Sequence, residues 1–411
     1  MSDLKNILFL FFILLLVSAA SGQEIADSSK NDGWFNYMQF SYLHGHHTDF
    51  EGYRQLLEGD FNGVGFRLGK QSSGRQAWQV VHAYPKYGIG VAFYDLGRDN
   101  VDELFGKPIS YYLFYSEPIL SVSNKFRLNA DLEIGLATAF HKYDPENNPE
   151  QNIIAAKSNL HANLSLELYY MLTERIDLAL GISFLHFSCG RMSTPQKGIN
   201  MLGFNLSSTY HYNSPRNKQF VEKPYRRPNF ILAEKPKFEP YSEISIMAAV
   251  GNVQAEPGNW KHKNGDMDST QNVGPRYFTN SVTVDYAYQF NHKLKIMGGI
   301  DFFFDRSVVN YYSTTNPDAL NFSDKAFYGA HAGVQYVVGK IALMFNYGRY
   351  IYKPFKERGK WYMRAGGRFE ILPKLDAQLS LKTRDERVAD WIEWGLVYKM
   401  RWRNQKNSLS F

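Results

Sequence analysis

The chain has 411 residues, of which 44% are hydrophobic and 16% aromatic, and its formal net charge is +6. Beyond the N-terminal segment it has no apolar stretch of about 18 residues, which excludes transmembrane helices. Its single cysteine excludes an intramolecular disulfide, and it has no nucleic-acid-binding motif. A mean hydropathy of −0.39 with many aromatic residues is typical of an outer-membrane β-barrel, whose strands are apolar on one face. A secreted soluble β-protein is the alternative.

Residues 1–22 are predicted to be a secretory signal peptide. A basic start with Lys5 is followed by an apolar run from Ile7 to Val17 and then by small residues ending at Gly22. A charged start, a short apolar run and small residues before the cut are the three parts of such a signal. We therefore expect the chain to be exported and cleaved after Gly22.

From Trp34 to Trp402 the sequence predicts about sixteen antiparallel strands, with short turns alternating with long polar loops. In the stretch 126–136 the even positions are apolar, whereas the odd positions include Arg127 and Asp131. Charges on the inner face would destabilise a soluble sandwich core. They suit the polar interior of a membrane barrel, so we predict an all-β outer-membrane barrel.

The stretch 213–239 interrupts this pattern because it is rich in proline and basic residues and lacks a strand period. We count eight strands before it, within 34–212, and eight after it, within 240–402. Since tandem barrels in one chain are unusual, we favour a single barrel of about sixteen strands with a long periplasmic linker. The alternative is two eight-stranded barrels joined by that linker. Residues 403–411 form a C-terminal tail.

Three polar residues are predicted to converge at the outer end of two neighbouring strands. The strand 175–188 ends with His186 and Ser188 on its apolar, lipid-facing side. Asn200, on the return strand, has the same parity. Acyl transfer requires at least a nucleophile and a base beside it, which a serine and a histidine can supply. A third group can orient the histidine.

The residues around these three resemble a known family. The run His186-Phe187-Ser188-Cys189-Gly190 and the run 195–200 resemble the signature of PagL-type outer-membrane lipid A 3-O-deacylases. More closely, they resemble the acyloxyacyl hydrolase-like relatives of that family in Bacteroidetes. The stretches 78–90 and 382–395 are similar to those relatives as well. The resemblance to the catalytic barrel covers roughly residues 35–212, and beyond it only the longer relatives match.

The resemblance implies a serine esterase in which His186 is the base and Ser188 the nucleophile. The family's acid falls on Asn200, which is an amide here, and its oxyanion-linked asparagine falls on Cys189. An amide oxygen can orient the imidazole but cannot stabilise its cation as a carboxylate would. We expect backbone N–H groups near Cys189 and Gly190 to hold the oxyanion.

The function expected on this basis is removal of an ester-linked acyl chain from lipid A of lipopolysaccharide, in the outer leaflet of the cell outer membrane. The acyl chain is expected to lie against Ile182, Phe184 and Leu202. No cofactor, metal or nucleic acid is expected, and a homodimer is compatible with the sequence. The alternative is a non-enzymatic porin-like or structural barrel that retains a degenerate site. A sixteen-stranded barrel can leave a water channel, whereas an eight-stranded one cannot.

Overall fold

The structure is a computed structural model. It describes residues 36–403 except 49–55, 58, 73, 75, 98, 124, 213–234, 259–271, 313–315, 355–358 and 386–387. The predicted signal peptide, most of the predicted linker and most of the predicted tail therefore lie outside the described residues.

In the first group of strands, apolar residues that point outward alternate with polar residues that point inward. This pattern lets each segment form one strand of a closed sheet. They are β1 (Tyr37–His47), β2 (Asp60–Gln71), β3 (Lys86–Asp95), β4 (Ile109–Ser121), β5 (Phe126–Thr138), β6 (Asn159–Met171), β7 (Ile176–Ser188) and β8 (Ile199–His211). All neighbouring strands are antiparallel, and β8 pairs with β1.

The second group repeats this arrangement. Its strands are β9 (Tyr241–Gln254), β10 (Arg276–Gln289), β11 (Leu294–Asp305), β12 (Ala326–Val338), β13 (Ile341–Tyr352), β14 (Trp361–Leu372), β15 (Leu375–Arg384) and β16 (Val388–Trp402). Here β16 pairs with β9. The described helices include α1 (Ala77–Val81), α2 (Asp99–Phe105) and α3 (Phe322–Lys325). Within the described residues, no helix is long and apolar enough to cross a membrane.

The sixteen strands thus close as two barrels of eight. The predicted all-β antiparallel barrel fold is confirmed. The single sixteen-stranded barrel favoured from the sequence is wrong, and the alternative of two barrels is the one that forms. The physical reason is that pairing β8 with β1 already satisfies the backbone of the first eight strands, so no edge remains for β9.

Each barrel has a charged interior and an apolar exterior. In the first barrel, Arg67 lies 3.1 Å from Asp131 and also binds Glu133. In the second, the Arg364 side chain donates to Asp301 at 2.9 Å and to Glu393 at 2.7 Å. The interiors of eight-stranded barrels are just wide enough to be filled by such side chains. Outward positions on most strands are exposed apolar residues.

The barrels contact each other at the end that carries the short turns. Glu117 of β4 accepts hydrogen bonds from His82 at 2.9 Å and Tyr115 at 2.9 Å within the first barrel. It also accepts from Lys293 at 2.6 Å and Tyr336 at 2.7 Å of the second barrel. We call this group of hydrogen bonds around the buried Glu117 carboxylate the short-turn contact. It joins the two barrels independently of the linker.

Replacing Arg364 with methionine is predicted to destabilise the second barrel. The change leaves two buried carboxylates without their shared cation, which costs about 3–5 kcal/mol when one partner of a buried ion pair is removed. The measurement is urea unfolding of the purified protein in lipid vesicles, followed by tryptophan fluorescence. The matched control is Arg306→Met, which breaks an exposed pair with Asp318 and should cost at most about 1 kcal/mol. Equal effects of both changes would contradict the prediction.

Candidate functional site

Strand register brings the predicted site residues to the outer end of β7 and β8. His186 lies directly opposite Asn200 in the β7–β8 pair. Ser188 is the last residue of β7, where the chain enters the loop 189–198. The predicted acyl-contact residues lie below them on the same strands, and their exposed fractions are 52% for Ile182, 37% for Phe184 and 51% for Leu202.

A short hydrogen bond fixes the orientation of the histidine. His186 Nδ1 and Asn200 Oδ1 are 2.6 Å apart. Because an amide oxygen can only accept, the ring proton resides on Nδ1 and the Nε2 lone pair is left to act as a base. Asn200 therefore holds the imidazole in one orientation through a neutral acceptor.

The hydroxyl of Ser188 is held by two donors. The Gly190 N–H donates to Ser188 Oγ at 3.1 Å, and the Gln196 side-chain amide donates to it at 3.2 Å. Within the described residues, His186 makes no hydrogen bond to this oxygen. Since both lone pairs of Oγ accept, the hydroxyl proton remains to be donated. Contacts between base and nucleophile commonly tighten only when substrate binds.

Gln196 is a site residue that the sequence did not reveal. Cys189 Sγ lies 2.7 Å from Gln196 Oε1 and 3.3 Å from the Ser193 carbonyl. A thiol donating to the amide oxygen turns the amide nitrogen toward Ser188, where it can stabilise negative charge. Strand parity does not place loop side chains, and the only sequence signal for Gln196 was its presence in the run 195–200.

Cys189 is buried and acts here as a hydrogen-bond donor. Burial raises the pKa of its thiol to about 11, so the thiol is protonated at neutral pH. A protonated thiol is a poor nucleophile. The serine, not the cysteine, is therefore the nucleophile that this geometry supports.

Comparisons with known proteins bear on the second barrel. Residues 242–402 match the family described as acyloxyacyl hydrolase, C-terminal domain. This match spans β9–β16 and does not include the residues from His186 to Asn200. No curated protein matches the chain. The resemblance to acyloxyacyl hydrolases is thus confirmed for the second barrel.

Solved outer-membrane proteins are also similar to the chain. The outer membrane enzyme PagL is 13% identical over 41% of this chain and 97% of its own, with a TM-score of 0.26. The protein Omp33 of Acinetobacter baumannii is 8% identical over 90% of this chain and 98% of its own, with a TM-score of 0.16. An outer membrane channel of Pseudomonas putida F1 is 10% identical over 92% of this chain and 100% of its own, with a TM-score of 0.18.

The barrel fold, its apolar exterior and the family match identify the chain as an outer-membrane β-barrel protein. Within the described residues of the first barrel, the strand order puts the long loops 139–158 and 189–198 at one end and the short turns at the other. Because long loops face outward in such barrels, we expect the loop 189–198 to lie on the outer side of the membrane.

Cys189 is predicted to resist alkylation by iodoacetamide in the folded protein at neutral pH. Its thiol is buried, and only the thiolate reacts, so labelling should rise with pH toward about 11. Because the raised pKa belongs to the folded state, the unfolded chain loses this proton first, and folding stability should fall as pH rises toward that value. Mass spectrometry of labelled peptides measures the rate, and Cys189→Ser is the control. Rapid labelling at neutral pH would contradict the conclusion that the Cys189 thiol is buried and protonated.

Proposed function

We propose that the chain is an outer-membrane serine esterase that removes an ester-linked acyl chain from lipid A. The observation that carries this proposal is the juxtaposition at the loop 189–198. There, a serine oxygen held by two N–H donors lies two residues from a histidine whose tautomer is fixed. The group lies at the top of an exposed apolar stripe, where a lipid substrate already presents its esters.

The proposed reaction starts with His186. Its Nε2 takes the proton of Ser188 Oγ, and Oγ attacks the carbonyl carbon of the acyl ester. As Oγ bonds to the carbonyl carbon, the Gly190 N–H and the Gln196 amide shift their hydrogen bonds from Oγ to the adjacent tetrahedral oxyanion, with the Cys189 N–H as a further candidate donor. Donors of this kind are worth about 3–4 kcal/mol each in other hydrolases.

The intermediate then collapses, and the alcohol oxygen of the cleaved ester leaves with the proton that His186 returns. The acyl group remains on Ser188 as an ester. A water molecule from the loop side gives a proton to His186 and attacks this second ester. The new intermediate collapses, the fatty acid is released, and His186 returns the proton to Ser188 Oγ. Bonds and protons balance, so the cycle needs no cofactor.

The substrate class follows from the surface below the site. Ile182, Phe184 and Leu202 present an exposed apolar stripe that an acyl chain can cover without leaving the hydrocarbon layer. The polar group sits at its outer end, where headgroup and hydrocarbon meet and polar side chains are tolerated. The proposed substrate ester lies at that depth.

The fold favours the esterase over a water-filled channel. Both barrels have eight strands, and charged side chains such as Arg67 and Arg364 cross their interiors. The porin-like alternative depended on a barrel of about sixteen strands. A structural barrel with a degenerate site is the remaining alternative, and the following experiment separates it from an enzyme.

Ser188→Ala is predicted to abolish lipid A deacylation. Without Oγ no acyl-enzyme forms, so cells that express the variant should keep every acyl chain that the wild type removes. The measurement is mass spectrometry of lipid A, with the folded state checked by heat-dependent migration on gels. The matched control is Ser183→Ala on the same strand, whose hydroxyl contacts Ser165 at 3.0 Å inside the barrel. An unchanged acyl pattern with wild-type protein would refute the proposal.

Asn200→Asp is predicted to raise kcat by about 10-fold or more. The carboxylate accepts the same Nδ1 hydrogen bond and also stabilises the imidazolium, whereas the reverse change in a serine protease costs about 10⁴ in kcat. Release of fatty acid from lipid A in detergent micelles measures the effect, and Asn200→Ala should lower kcat. A folded Asn200→Asp protein with unchanged or lower kcat would show that the amide is not acting at an acid position.

A further inference from the structure

The loop 189–198 is fastened to the second barrel by main-chain and side-chain hydrogen bonds. The Gln254 N–H donates to the Arg191 carbonyl at 3.3 Å. Thr194 makes two more contacts: its N–H donates to Gln254 Oε1 at 3.1 Å, and its hydroxyl donates to the Ala255 carbonyl at 2.7 Å. The middle of the loop is thus tied to the end of β9.

An apolar wall of the second barrel packs against Gly190. A Cβ atom added there would lie 2.7 Å from Ile392 Cγ1 and 3.4 Å from Leu381 Cδ1, and the φ of Gly190 is +58°. The close approach and the positive φ together require glycine at this position. The second barrel therefore touches the residue whose N–H donates to Ser188.

Charges strengthen the same contact. The buried Arg191 guanidinium lies 3.7 Å from Glu256 and 3.6 Å from Asp390, both of the second barrel. Burial lowers the pKa of Arg191 and raises the pKa of Glu256, as expected for charges withdrawn from water. A buried cation needs such carboxylates, since it is costly when left unpaired.

We propose that the second barrel is a positioning domain for the catalytic loop of the first. By holding Arg191 and Thr194, it keeps the Gly190 N–H and the Gln196 amide at Ser188. This inference rests on the proposed function. Oxyanion donors accelerate a reaction when they are held in place beforehand, and a misplacement of about 1 Å can cost about 100-fold in rate. The loop 189–198, which joins β7 and β8, is held in one conformation by its contacts with the second barrel.

The contact between the loop 189–198 and the second barrel is separate from the other contact that joins the two barrels. The short-turn contact around Glu117 joins the barrels at their opposite end and involves no residue of the loop 189–198. A change at that end tests adhesion, whereas a change at Thr194 or Glu256 tests the loop. The chain therefore offers its own control.

The experiment compares the full-length variants Thr194→Val and Glu256→Gln with wild type and with the control Glu117→Gln. The first readout is the rate at which a long-chain alkyl fluorophosphonate labels Ser188, together with kcat and KM on lipid A. The second is limited trypsin digestion, followed by mass spectrometry of cleavage after Arg191 and Lys197. Heat-dependent migration on gels confirms that each barrel is folded.

In the two loop variants, we expect the probe to label Ser188 about 10- to 100-fold more slowly than in wild type. Their kcat should be lower and their KM unchanged, and trypsin should cleave them after Arg191. Glu117→Gln should resemble wild type in both readouts. Wild-type labelling rates and trypsin resistance in Thr194→Val and Glu256→Gln would overturn the inference.

The proposed function can fail separately. A wild-type protein whose Ser188 neither reacts with the probe nor deacylates lipid A would contradict the esterase, and with it the catalytic role of the second barrel. The trypsin pattern would still decide whether that barrel holds the loop. Labelling of Ser188 with no effect of the loop variants would refute the positioning role and leave the esterase intact.

Discussion

In each barrel, the pairing of the last strand with the first closes the hydrogen-bond ladder of eight strands. In a membrane, every backbone N–H and C=O must find a partner within the protein, and closure meets that demand without leaving an edge. The other features of the structure depend on it. Closure at eight strands makes the interior narrow, and inward-facing side chains fill it with ion pairs such as that between Arg67 and Asp131. The apolar side chains face outward.

This closure also decides where chemistry can take place. The narrow interiors are crossed by ion pairs, whereas the proposed lipid-directed site lies at the strand ends and in a loop. His186, Ser188 and Asn200 lie at the outer ends of β7 and β8, above exposed apolar residues. In the proposed function, this placement suits a substrate that is dissolved in the membrane. In the proposed mechanism the strand fixes the base, and the loop supplies the oxyanion donors.

Much of this could be predicted from local pattern. Period-two alternation gave the strands and their faces, because successive side chains of a strand point to opposite sides. The same parity put His186 and Asn200 on one outer face of neighbouring strands, and the register of β7 with β8 places them directly opposite each other. Gln196 was missed because its position depends on the fold of a loop and on the thiol of Cys189. The contacts of Thr194 with Gln254 and Ala255 were equally hidden, since about sixty residues separate them in the chain.

The sequence by itself determined the strands, their two faces, the outer position of the candidate site and the likeness to acyloxyacyl hydrolases. Each of these depends on neighbouring residues or on short motifs. Only the tertiary structure decided that the strands close as two barrels and that the second barrel packs against Gly190. Alternation is the same in a barrel of eight strands and in one of sixteen. Which strands pair to close the sheet is a long-range choice that local periodicity does not encode.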